Sequence, residues 1–180
     1  MALSKALPPL YVLRHGQTVW NREGRMQGRL DSALTALGRV QAARQGAILR
    51  GQPAMPTLCS PLGRARLTAA MAGLDAQPEP RLAEIEMGKW QGLRREEVTL
   101  ASGILWKFAA PDGEGIADLQ DRLNSLLSDL AGPTILVTHG VISIALRAML
   151  RGLPSAAWDD LDDPQGVVHR VEAGRETLLI

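Results

Sequence analysis

The sequence predicts an α/β fold, a mainly parallel central sheet with helices on both faces. Three observations carry that expectation. Short apolar runs of strand length recur at Leu10-Tyr11-Val12-Leu13, Thr57-Leu58-Cys59 and Ile135-Leu136-Val137. Stretches with helical spacing or helix-start signals follow them, and this alternation of strands and helices argues for a parallel sheet covered on both sides. Each run also ends in polar residues, at the strand ends where open α/β sheets bind ligands.

Taken in order, the elements read as follows. Gly16, just beyond the first strand, lets the backbone turn tightly. A helix starts near Thr35 and ends near Gly51, with Leu37, Val40, Ala47 and Ile48 expected on its inner side. After the second strand, Ser60 suits an N-cap and Pro61 a first helical position, so the next helix should run to about Ala72. Arg64 then falls in its first turn, beside free backbone N–H groups. Behind Gly115, the residues Ile116, Leu119, Leu123, Leu126, Leu127 and Leu130 recur at helical spacing until Gly132-Pro133 ends the helix. The strand from Thr134 to Val137 begins at once. The helix from Val141 to Leu150 is apolar over most of its circumference and should be well buried. Val167 to Val171 and Thr177 to Ile180 read as late strands.

A chain of 180 residues, 46% hydrophobic and 22% charged, fits one domain with a real core. The formal net charge of +1 gives no sign of a nucleic-acid or acidic-membrane partner. Cys59 is the only cysteine, which rules out an internal disulfide and suits a reducing compartment. The start, Met1 to Pro9, does not read as a signal peptide. No run reaches the roughly 18 apolar residues of a membrane span. A cytoplasmic protein is the expectation.

The chemistry concentrates at the strand ends. Arg14, with its fork of donors, and Arg64, at a helix start, are candidates to clamp phosphoryl oxygens, with Asn21 completing the cradle. His15 can attack phosphorus when neutral, and two neighbouring guanidinium groups should lower its pKa. His139, at the end of another strand, would donate to a phosphoryl oxygen. Glu84 would protonate the leaving oxygen and later take a proton from water. Glu86, two residues on, would share a strand face with it and is a rival for the role. Gln17 and Thr18 are expected to line the pocket beside the nucleophile, and Gln27-Gly28 reads as a turn. Glu114 reads equally well as a functional carboxylate or as a helix-dipole partner. The acidic residues Asp159, Asp160, Asp162 and Asp163 read as a solvated loop, and His169 has no evident partner. No metal or other cofactor is called for, since the arginines supply the positive charge.

These pieces stand in a fixed order: Arg14-His15-Gly16, Gln27-Gly28 with Asp31-Ser32-Ala33-Leu34-Thr35, Ser60-Pro61-Leu62 with Arg64, Glu84 with Gly88, Trp90 and Gly92, Pro111-Asp112-Gly113-Glu114, and Thr138-His139-Gly140. From about Tyr11 to Leu153 the chain resembles the histidine phosphatase superfamily, the phosphoglycerate-mutase-like enzymes. The resemblance implies the same architecture, the same roles for His15, Arg14, Arg64, Glu84 and His139, a loop of Gln27 and Gly28 over the pocket entrance, and a small phosphomonoester as substrate. The chain departs from the family pattern at Ala33, often Pro, and at Gly115, commonly Ser. Its segment 93–110 is also short for a cap, with Leu105, Trp106, Lys107 and Phe108 as its core. That shortness implies an open pocket, or a lid supplied by the second subunit of a homodimer. Arg94, Arg95 and Lys107 could contact a second anionic group.

The expected function is therefore a metal-independent phosphomonoesterase acting through a phosphohistidine on His15. A cofactor-dependent phosphoglycerate mutase is the alternative within the family, but it needs a more enclosed site. A catalytically silent phosphate-binding module is the alternative from another class. It predicts loss of at least one of the five central residues, and all five are present.

Overall fold

The computed structural model describes residues 7–98 and 101–180. The start 1–6, and residues 99 and 100 of the expected cap segment, lie outside the described residues. Six strands form one sheet in the order β3-β2-β4-β1-β5-β6. They are β1 (Leu10–Arg14), β2 (Thr57–Cys59), β3 (Ala76–Pro78), β4 (Thr134–Thr138), β5 (Val168–Glu172) and β6 (Arg175–Leu179). The first four run parallel, while β5 lies antiparallel to β1 and to β6. The helices are α1 (Val19–Arg22), α2 (Ala36–Leu49), α3 (Gly63–Met71), α4 (Arg95–Val98), α5 (Ile116–Asp129) and α6 (Gly140–Leu150). The expected architecture holds, with an antiparallel hairpin completing one edge.

Two cores flank the sheet. On one side Leu119, Leu123, Leu126 and Leu127 of α5 pack with Ile142, Ala145 and Leu146 of α6 and the fully buried Trp158. On the other, Tyr11, Leu13, Ile135 and Val137 meet Ala65 and Ala69 of α3. No helix among the described residues is long and apolar enough to cross a membrane.

Helix α2 corrects an expectation. Leu37 and Val40 are 51% and 65% exposed, Ala47 is exposed and Ile48 only half-buried, and the inner face is Gly38, Ala42, Gln45, Gly46 and Leu49. Small residues allow this helix to lie against backbone. A Cβ on Gly16 would sit 2.2 Å from the Gly38 carbonyl oxygen, and one on Gly38 would sit 2.0 Å from that of Gln17. The two glycines thus press α2 onto the turn after β1, and the larger apolar side chains face outward.

The start of α3 is a second correction. The helix begins at Gly63 with Leu62 as its N-cap residue, and no side chain of the N-cap closes it. Asp31 closes it from a distant loop, accepting from Gly63 N at 2.6 Å and Arg64 N at 3.3 Å. Ser60 stands too early to cap, because β2 carries it into the active end of the sheet.

Candidate active site

Register alone brings the two histidines together. In the parallel pair β1·β4, Arg14 stands opposite Thr138, so the following residues, His15 and His139, emerge side by side. His15 N donates to Thr138 O at 2.9 Å, and the rings lie 5.2 Å apart between centroids, tilted by 59°. The pair β2·β4 adds Ser60, whose N donates to Val137 O at 2.9 Å and whose hydroxyl lies 2.7 Å from His139 Nε2.

The His15 ring is fixed by both nitrogens. Nδ1 lies 2.8 Å from Gly16 O, a contact an imidazole makes only by donating. Arg64 Nε donates to Nε2 at 3.2 Å, so Nε2 carries the lone pair. Burial, then the charges of Arg64 and Arg14, hold the His15 pKa well below its ordinary 6.5. The expected arginine effect is present, yet desolvation is the larger cause. His139, fully buried, is held low by burial first and then by Arg64, His15 and Arg14. Both rings are therefore neutral at physiological pH.

Arg64 is 2% exposed and its guanidinium is spoken for on three sides. Besides His15 it donates to Leu30 O and Asp31 Oδ1, both at 2.7 Å, and to Gly28 O at 2.7 Å. It thereby ties the 28–31 loop to the nucleophile. Arg14 is less committed. Its guanidinium lies over the start of α6, where a Cβ on Gly140 would come within 3.4 Å of Cζ. Its NH1 donates to Asp163 O at 3.0 Å, and its buried Nε has no partner among the described residues. His139 Nδ1 is likewise buried without one. Unpaired buried donors or acceptors are costly, and an anion's oxygens would satisfy an arginine Nε.

Glu84 is 9% exposed and Glu86 has a side chain 36% exposed, which separates the two carboxylates. The 84–87 stretch is not a strand, contrary to expectation. It is held instead by Glu114, whose carboxylate accepts from Glu86 N at 3.3 Å and from Arg122 Nε at 2.5 Å. Glu84 reaches the start of α6, accepting from Val141 N at 3.3 Å and from its neighbour Ile85 N at 3.0 Å. Four residues on, Gly88 adopts φ +43°, and a Cβ there would sit 2.0 Å from Pro111 O.

A cavity of about 300 Å³ is lined by Arg14, His15, Asn21, Arg64 and Glu84, with Gln27 and Gly28 of the expected entrance loop, while the fully buried His139 lies behind its wall. Asn21 Oδ1 accepts from Thr18 N and from Gln165 Nε2, which leaves its amide NH2 as the donor for the pocket. Gln17 and Thr18 are not brought to the cavity. Gln17 Oε1 accepts from Thr35 Oγ1 at 2.9 Å, and Thr18 is fully buried as the N-cap of α1. The wall opposite His15 comes from the short cap segment, through Arg95, Gly103, Trp106 and Lys107. Arg94 instead faces solvent near Glu96. Arg95 and Lys107 stand 5.7 and 5.9 Å from the Trp106 ring centre. Burial lowers the Lys107 pKa, with Glu84 opposing and Arg14 and Arg95 adding to the effect. Among the described residues, no three His, Cys, Asp or Glu side chains gather as metal ligands would.

Sequence reasoning missed Asp31, Ser60 as a histidine partner, and the acidic loop. Asp159 accepts from Ile104 N and Leu105 N and so anchors the cap, while the Asp163 side chain is 4% exposed. The stretch is not simply solvated. His169 also has partners, with Nδ1 2.7 Å from Glu176 Oε1 and 3.1 Å from Arg147 NH1.

A mostly parallel sheet with paired histidines and arginines at its rim is the phosphoglycerate-mutase-like architecture. The chain belongs to the histidine phosphatase superfamily (branch 1), whose profile matches residues 10–179. It is similar to the glucosyl-3-phosphoglycerate phosphatase of Mycolicibacterium vanbaalenii, 37% identical over 172 residues, covering 83% of this chain and 76% of that protein. It is also similar to a probable phosphoglycerate mutase of Citrobacter koseri, 34% identical over 167 residues, covering 83% and 76%. Among solved structures, a phosphoglycerate mutase from Thermus thermophilus superposes with a TM-score of 0.77 at 34% identity, covering 96% of this chain and 98% of that one. Family and phosphatase relatives together make this chain a phosphatase.

Proposed function

We propose that the chain is a metal-independent phosphomonoesterase that hydrolyses small phosphorylated metabolites through a phosphohistidine on His15. The observation that carries this reading is the His15 ring itself, neutral, with Nδ1 committed to Gly16 O and Nε2 toward the cavity arginine. Arg64 Nε must first let go of Nε2, whose freed lone pair attacks phosphorus while the bond to the ester oxygen breaks. Arg14, the Asn21 amide and His139 take the phosphoryl oxygens. Glu84 gives its proton to the leaving oxygen, then accepts one from the water that attacks the phosphohistidine, releasing phosphate.

The far wall favours a substrate with a second negative group. Arg95 and Lys107 both lie beside Trp106 on the cavity wall, and a carboxylate bound there would offset their positive charge. The phosphoglycerates named for the relatives carry such a group, a carboxylate. A mutase is disfavoured because it must exclude water from the phosphohistidine, and this cap is short.

The test is phosphate release from a panel of esters in EDTA, comparing the wild type with His15→Ala. The panel holds 3-phosphoglycerate and its glucoside, sugar phosphates, nucleotides, a ribazole phosphate and an aryl phosphate. Turnover that survives EDTA and disappears in His15→Ala supports the reading. Vanadate binding without turnover on any ester would replace it with a silent binding module, and isomerisation of 3-phosphoglycerate in place of hydrolysis with a mutase.

A further inference from the structure

The phosphoryl cradle is braced from below by a segment that none of the family motifs includes. Residues 162–165, between the last turn before the hairpin and β5, touch three cradle residues at once. The Asp163 carbonyl accepts from Arg14 NH1 at 3.0 Å, and its carboxylate Oδ2 stands 3.6 Å from the same nitrogen. Gln165 Nε2 donates to His15 O at 3.0 Å and to Asn21 Oδ1 at 3.2 Å. The segment is itself anchored. Asp163 Oδ1 accepts from Ser143 Oγ at 2.6 Å, and Arg147 NH2 donates to Asp162 O at 2.6 Å. Arg147 is in turn bound to Glu176 of β6 at 2.6 Å.

Electrostatics gives the arrangement a purpose. Arg14 lies over the N-terminal end of α6, where the helix dipole repels a cation. A buried carboxylate beside it offsets that repulsion and fixes the fork before any phosphoryl group arrives. We propose that 162–165 is a positioning strap for the phosphoryl site, in which Asp163 sets Arg14 and Gln165 sets His15 and Asn21. Neither side chain touches the reacting atoms. The inference rests on the phosphatase reading for its kinetic test and on geometry for its binding test.

Asp163→Asn keeps the shape and an acceptor for Ser143 but removes the charge. It should lower kcat about 10- to 100-fold, the penalty for a misplaced catalytic group, with a smaller change in KM. Vanadate affinity, read by calorimetry, should weaken about 10-fold or more. In an Arg14→Ala background, Asp163→Asn should change vanadate affinity less than about twofold, because the two act as one unit. Full activity and vanadate affinity in Asp163→Asn would overturn the proposal, and so would an equal loss of affinity in both backgrounds. Should Asp163→Asn not fold, Gln165→Ala carries the test. It should lower kcat several-fold without moving the melting temperature, and unchanged kcat and vanadate affinity would overturn the strap. A wild-type chain without turnover would defeat the phosphatase reading alone, since the vanadate comparison still decides the strap.

Discussion

Arg64 Nε donates to His15 Nε2 across 3.2 Å, so the nitrogen that must stay unprotonated is held by a cation that keeps it so. The same guanidinium reaches the carbonyls of Gly28 and Leu30 and the Asp31 carboxylate. One side chain thus joins the nucleophile, the entrance loop and the start of α3.

Lysine cannot replace that fork, because an ammonium is a point charge on a flexible stem. Arg64→Lys should lower kcat by roughly 100-fold, the scale for losing an aligned donor. It should also lower the melting temperature, since the buried carbonyl partners lose their donors. Steady-state kinetics and a thermal melt on the same preparation check both effects.

The two active-site histidines should show no titration between pH 6 and 7.5 when followed by imidazole nitrogen NMR, with His15→Asn used for assignment. Their folded pKa values lie below the unfolded 6.5, so the unfolded chain binds more protons just below that pH. The stability they provide is therefore complete above about pH 6.5 and is lost as pH falls toward the folded values. Each can contribute a slope of up to about 1.4 kcal/mol per pH unit. Urea melts at pH 7.5, 6.5 and 5.5 measure it. Glu176 acts further down. Burial pushes its carboxyl up, but hydrogen bonds from His169 and Arg147 prevail and hold it at about 2.

Glu84→Gln removes the proton donor while retaining a carbonyl for Ile85 N or Val141 N. Turnover of alkyl phosphates should fall by about 10²- to 10⁴-fold, the usual range for an acid–base group. An aryl phosphate should suffer far less, because its leaving group needs no proton. Equal losses on both substrates would contradict the assigned role.

Gly38→Ala would force a methyl group into the backbone of the turn after β1, where a Cβ meets Gln17 O at 2.0 Å. The expected destabilisation is about 1–3 kcal/mol, the range for overpacking, with kcat reduced as the turn shifts His15. Denaturant unfolding gives the first quantity directly.

Lys107→Met should raise KM for esters carrying a carboxylate by about 10-fold and leave aryl phosphate almost unchanged. Equal KM values across the panel before and after the substitution would remove the second-anion reading of the cap wall.

How much of this was legible in the sequence follows from distance along the chain. Strands and amphipathic helices announce themselves locally, as in the leucine spacing of α5, and the residues at strand ends carry chemistry that spacing preserves. Helix α2 misled because its packing face is made of Gly38, Ala42 and Gly46, whose closeness to backbone matters more than their hydrophobicity. Ser60 looked like a cap, but the parallel register of β2 with β4 places it against His139 instead. Asp31 and Asp163 act on partners far away in sequence, Gly63 and Arg14, and no local pattern marks such pairs. Gln17 and Thr18 stand beside the nucleophile in sequence, yet the turn at Gly16 sends both toward the first helices.

The register that sets Arg14 opposite Thr138 also has a kinetic consequence. The strand carrying the nucleophile comes from the start of the chain, and the strands on both sides of it, β4 and β5, come from its final third. Parallel pairings between such remote segments form slowly, because the chain must close a long loop before any contact rewards it. A nascent chain that has reached only α5 holds His15, Arg64 and Glu84 but lacks both neighbours of the strand that aims the first of them. The phosphate site should therefore form late, when the centre of the sheet closes, and a fragment that stops at α5 should not possess it.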